Sequence, residues 1–277
     1  MRRRIVALMA ALGLAISVSV AAAPAATAVS NTGASYVAFG DSEAAGTGNL
    51  FYVERGTCLR SRISYPLILG GTSYACASVT TDGTIAQVHA AAAAGKLGGN
   101  TKLVTVTAGI NNLPWQQTLL TCAQAGPEVC QQAVAALAPQ FATVAPGVAG
   151  IVATVRGYAP NAKILVTGYP QLFGDVTTSC RVGFLNGSAI TVPAATTALA
   201  NAAVDTLNQT IVGGLSIVGD PNTVYVDLAA RFDTHGLCDT RTPWVNGVIG
   251  LPVLSDGSLH VNAIGQFAIA ATVRSMR

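Results

Sequence analysis

Charged residues make up only 10% of this 277-residue chain and aromatic residues 6%, against 51% hydrophobic. Such sparse charge, with no basic run beyond the first few residues, sets nucleic-acid binding aside, because a polyanionic partner needs clustered Lys and Arg. There is no C-x-x-C pair and no flanking histidine array, so no metal site is expected. Histidine is scarce too: His89, His235 and His260 are the only three, which leaves a histidine base few possible seats. No internal repeat, long linker or domain boundary is visible.

The one uninterrupted apolar run lies at the start. Met1 is followed by Arg2, Arg3 and Arg4, an apolar stretch from Ile5 to Val20, and small residues ending in Ala26-Thr27-Ala28. A basic start, a short apolar middle and small residues predict a secretory signal peptide over residues 1–28. The run is shorter than the ~20 residues a membrane-spanning helix needs. No stable span is therefore expected after cleavage. The leader carries three of the 15 Lys+Arg and none of the 12 Asp+Glu, so the remainder is formally neutral. Residues 29–277 fit one domain. Six cysteines behind such a leader read as three disulfides in an oxidising compartment. Proximity in sequence favours Cys58–Cys76 and Cys122–Cys130, leaving Cys180–Cys238.

Short β-branched runs ending at turn residues occur at 35–40, 103–108, 163–167 and 223–228, with a weaker one at 72–77. Apolar on both faces, they suit parallel strands buried between helices. Helical stretches intervene at 82–95, 128–158, 193–212 and 262–275, with Pro139 and Pro146 expected to break or kink the second. The alternation predicts a three-layer α/β/α sandwich around a five-stranded parallel sheet. Stretches 43–66, 169–192 and 229–258 read as long loops. In such a sheet ligands bind beyond the carboxyl ends of the strands. Residues 41–42, 78, 109–112 and 169–170 are thus expected on one rim.

Three of these segments carry residues with chemistry. Ser42 directly follows the first strand, where its hydroxyl and free N–H could serve as nucleophile and oxyanion donor, or where it could merely cap a helix. His260 precedes the terminal helix, and Asn262 can start that helix. His89 and His235 better suit packing and loop roles. Asn111 follows the third strand and offers an amide donor that could face an oxyanion.

Taken together and in order, these blocks resemble the GDSL or SGNH hydrolase family. Gly40-Asp41-Ser42 looks like the first block and Cys76-Ala77-Ser78-Val79-Thr80-Thr81 the second. Gly109-Ile110-Asn111-Asn112 is similar to the third, and His260-Val261-Asn262 with Gly265 to the last. Residues 232–238 and 243–247 extend the likeness to a secreted actinobacterial branch. The resemblance implies a flavodoxin-like α/β/α fold, hydrolysis of acyl esters that include lipids, and no metal or organic cofactor. It implies Ser42 as nucleophile, His260 as base, and an oxyanion hole from the Ser42 and Ser78 N–H groups and the Asn111 side chain. A secreted monomer is the expectation. A polysaccharide deacylase with the same constellation, or a binding protein whose site has degenerated, are the alternatives.

Four positions depart from the family pattern. Ser78 stands where the family has Gly, Glu43 where the motif has Leu, and Asn112 where it has Asp. Gly257 occupies the usual acid position, three before the histidine. Either Asp256 reaches the His260 ring from a longer loop, or a main-chain carbonyl holds it, the carbonyl being the preferred reading.

Overall fold

The computed structural model describes residues 30–250 and 255–277. The expected leader at 1–28 lies outside them. From the amino end come β1 (Tyr36–Gly40), α1 (Ser42–Ala45), β2 (Tyr52–Glu54), β3 (Arg60–Ser61), α2 (Tyr65–Ile68), β4 (Thr72–Ser73) and α3 (Thr81–Ala93). The middle contains β5 (Leu103–Thr107), α4 (Trp115–Gln124), α5 (Pro127–Ala135), α6 (Ala138–Tyr158) and β6 (Lys163–Thr167). Then follow β7 (Ser179–Leu185), β8 (Ser188–Pro193), α7 (Ala194–Val218), β9 (Thr223–Val226), α8 (Leu228–Arg231), β10 (Val248–Gly250) and α9 (Ala263–Ser275).

Five strands form one parallel sheet in the order β4-β1-β5-β6-β9. Alternation along β1 shows why it is central. Val37 and Phe39 join the core beneath α3, α6 and α7, whereas Tyr36 and Ala38 face the opposite core with Tyr65 of α2 and Ile269 of α9. Each face buries its own apolar layer, so helices must cover both, and the sandwich follows. Gly40 ends β1 at φ 141°, and a Cβ there would sit 2.2 Å from the Thr107 carbonyl oxygen of β5. Only glycine lets the two strand ends approach this closely before the chain turns into α1.

Several boundaries differ from those read in the sequence. The third helix begins at Thr81, because Thr80 caps it by accepting from the Gly83 N–H. The stretch expected as 128–158 is two helices, with Pro139 in the first turn of α6, where a missing N–H costs nothing. Pro146 lies inside α6 without ending it. Two of the stretches expected as loops contain a second sheet, β10-β7-β8, and the third contains the β2–β3 pair. At 21 residues, α6 is long and apolar enough to cross a bilayer. Instead Val144, Val148, Ile151, Val152 and Val155 seat it in the core. Disulfides join Cys58 to Cys76, Cys122 to Cys130 and Cys180 to Cys238.

Candidate active site

The turn after β1 is built from both sides. Gln87 of α3 donates to the Gly40 carbonyl at 2.9 Å and accepts the Gly40 N–H at 2.8 Å. Asp41 then caps α1 by accepting from the Glu43 N–H, and the Tyr169 hydroxyl donates to its other oxygen. Asn208 of α7 clamps the Tyr169 backbone in turn, accepting its N–H at 2.8 Å and donating to its carbonyl at 2.9 Å. Ser42 is thereby the first residue of α1, whose N–H has no preceding helical carbonyl to pair with.

From the far end of the chain, the segment before α9 brings His260 to the same rim. Its Nε2 lies 2.9 Å from Ser42 Oγ, and both residues are buried, at 5% and 6% exposure. Nδ1 faces the Ser258 carbonyl at 3.1 Å. A carbonyl only accepts, so Nδ1 carries the proton and Nε2 is left to accept from the serine hydroxyl. Burial lowers the pKa of His260 below its ordinary value, opposed by the Ser258 carbonyl and by the charge of Asp256. The Trp115 indole meets the imidazole edge-on, with ring centroids 5.8 Å apart.

The Asp256 alternative needs correction. This carboxylate is exposed and acts on the ring only at a distance, while the nitrogen it would have held belongs to Ser258. The reason lies one residue on. A Cβ at position 257 would stand 2.6 Å from the Gly48 Cα, so the loop after α1 excludes any side chain at the usual acid position.

The other departures also resolve physically. Ser78 adopts a left-handed backbone at φ 63°, the conformation glycine would take freely. Asn111 Nδ2 donates to the Val79 carbonyl at 3.1 Å, and its Oδ1 accepts from Trp115 Nε1 at 3.2 Å. This ties the amide to the segment that carries Ser78. Asn112 accepts from the Thr81 N–H and donates to Thr81 Oγ1, both at 3.0 Å, and donates to Thr143 Oγ1 at 3.1 Å, so the amide keeps this corner paired without a charge. Glu43 Oε1 accepts from the Val261 N–H at 3.4 Å, and Oε2 is enclosed without a partner. Burial pushes Asp41 up to about 7, and burial with the neighbouring Asp41 charge pushes Glu43 up to about 8.

The remaining histidines serve elsewhere. His89 pairs with the Tyr158 hydroxyl, and His235 stacks on Trp244 while facing the Thr242 carbonyl. Sequence reasoning missed Trp115 and the amide clamps Gln87, Asn208 and Gln266. Gln266 left a trace, since it is a polar amide on the otherwise apolar buried face of α9, whereas Gln87 and Asn208 lie on helices whose buried residues include threonines. Trp115 left none: its role depends on how α4 is folded over the rim.

A serine and an imidazole in hydrogen-bond contact at the carboxyl ends of a parallel sheet define a hydrolase-type rim. A profile of the GDSL-like Lipase/Acylhydrolase family matches residues 38–266, and the chain belongs to that family. It is 30% identical to Lipase 2 of Streptomyces coelicolor, over 98% of this chain and 95% of that one. It is 29% identical to a lipase of Streptomyces rimosus, over 83% and 82% of the two chains. Among solved structures, phospholipase A1 from Streptomyces albidoflavus superposes with a TM-score of 0.75 at 25% identity, covering 87% of this chain and 98% of the other. The extracellular lipase from Streptomyces rimosus gives 0.73 at 27%, covering 87% and 99%. The protein is a carboxylic-ester hydrolase.

Proposed function

We propose that the chain hydrolyses esters of apolar acyl chains outside the cell, as a monomer, through an acyl-enzyme on Ser42. The 2.9 Å contact between Ser42 Oγ and His260 Nε2 carries this reading. Nε2 takes the serine proton as Oγ attacks the ester carbonyl, forming a tetrahedral oxyanion. The Ser42 and Ser78 N–H groups and the Asn111 amide receive that charge. Collapse breaks the ester C–O bond, and the imidazolium returns its proton to the leaving alkoxide. Water, deprotonated by the same imidazole, then attacks the acyl carbon, the C–Oγ bond breaks to release the acid, and the imidazolium returns its proton to Ser42 Oγ. The Ser258 carbonyl keeps the ring in the tautomer that both steps require.

Ile110, Leu172, Val204 and Val245 line the same cavity as Ser42, which supports an acyl chain over a sugar beside the nucleophile. Three disulfides support an oxidising destination, as does the extracellular Streptomyces rimosus relative. Mass spectrometry after incubation with a fluorophosphonate tests the assignment, together with p-nitrophenyl ester turnover. Ser42 should be the labelled residue, and Ser42→Ala should lose at least ~10⁴-fold in kcat. Unlabelled wild type, or an active Ser42→Ala, would overturn it.

A further inference from the structure

Trp115 opens α4 in the middle of an apolar region that extends away from Ser42. One cavity of about 30 Å³ holds Ser42 and His260. A second of about 80 Å³ runs toward β7 and β8, lined by Leu119, Phe173, Val182, Ile190 and Val248. A third of about 50 Å³ lies between α4 and α7, against Leu137, Leu172, Val204 and Leu207. Among the described residues, Trp115 is the one that lines all three. An acyl chain leaving the carbonyl held at Ser42 therefore finds the indole on the wall of whichever space it enters.

The same side chain touches the chemistry. Its ring stands edge-on to His260, and its N–H donates to Asn111 Oδ1 at 3.2 Å. That bond dictates which way the amide faces. A flipped Asn111 would set its NH₂ against the indole N–H, donor to donor, and would also lose the Val79 carbonyl. The orientation that keeps both partners is the one that leaves a second Nδ2 hydrogen for an oxyanion.

We propose that Trp115 has two separable roles: its ring is the partition that sets the length of acyl chain accepted, and its N–H positions the Asn111 amide. This rests on the reading of Ser42 as the acylated residue. Each further methylene admitted to an apolar space should raise kcat/KM about fourfold. Trp115→Ala joins the three spaces, whereas Trp115→Phe keeps a smaller aromatic wall and removes the N–H.

The test is a set of kcat and KM values on p-nitrophenyl esters of four, eight, twelve and sixteen carbons, for wild type and both variants. Trp115→Ala should raise the sixteen-to-four ratio of kcat/KM at least tenfold, chiefly through KM. Trp115→Phe should keep that ratio within about threefold of wild type, and lower kcat on every ester by about two- to tenfold with KM little changed. An unaltered ratio in Trp115→Ala overturns the partition, and an unaltered kcat in Trp115→Phe overturns the positioning role. If Trp115→Ala does not fold, Trp115→Leu supplies the same ratio with a less depleted core. Fluorophosphonate labelling of every protein keeps the two failures apart. Labelled enzyme with unchanged ratios tells against Trp115 alone, and unlabelled wild type tells against the Ser42 reading beneath it.

Discussion

At the scale of single residues, the departures from the family pattern mark where charge has been moved. Holding His260 by a carbonyl removes a fixed negative charge from the back of the imidazole. Asp256→Ala is accordingly expected to keep kcat within a fewfold of wild type, and a ~10⁴-fold loss would reinstate the carboxylate. Glu43 adds a carboxyl on the other side. With its pKa up near 8, the folded chain holds that proton through a range in which an unfolded chain, titrating near 4.5, has lost it. The associated stability is full below pH about 4.5, falls as pH rises, and is gone above about 8. Glu43→Leu escapes that fall. Its stability relative to wild type should therefore grow by more than ~1 kcal/mol between pH 5 and pH 8 in urea titrations. A difference that stays flat with pH would show that the buried carboxyl is ionised in the fold.

At the scale of elements, the site is assembled by amide side chains reaching out of helices. Gln266 of α9 is fully buried, accepts the Tyr65 N–H at 2.8 Å and donates to the Glu43 carbonyl at 2.9 Å. It thereby welds the last helix to α1 and α2, the short elements beside Ser42. Gln266→Leu fills the same space but strands two buried backbone groups, so a loss of about 2–5 kcal/mol is expected on chemical denaturation. A loss under ~1 kcal/mol would mean that the groups find other partners. Asn262 works more locally, accepting from the Ile264 and Gly265 N–H groups as the cap of α9. That cap was legible from the residue type before an apolar run. The β7–β8 hairpin was not, because its burial comes from β10 and Cys180–Cys238, both distant in sequence.

Across the whole molecule, a Ser42–His260 contact between residues 218 positions apart depends on long-range ties. Cys180–Cys238 spans 58 residues and Cys122–Cys130 only 8. Closing the longer loop costs the unfolded chain more entropy, so its bond should contribute about 4 kcal/mol against about 2.5 for the shorter. Paired alanine replacements, compared by urea denaturation, should reproduce that order. Equal losses would indicate that strain or residual unfolded structure outweighs loop closure.

The amino-acid order determined the parallel strands and the rim that Ser42 and Asn111 share, because strand periodicity and turn chemistry act over a few residues, while His260 joined that rim only through the likeness to the family. Only tertiary structure decided what holds the imidazole, what Glu43 faces and how Trp115 divides the space beside the serine. Those answers depend on which backbones come within van der Waals contact. The Gly48–Gly257 approach, which leaves no room for an acid side chain at 257, is visible only once both ends of the chain are folded together.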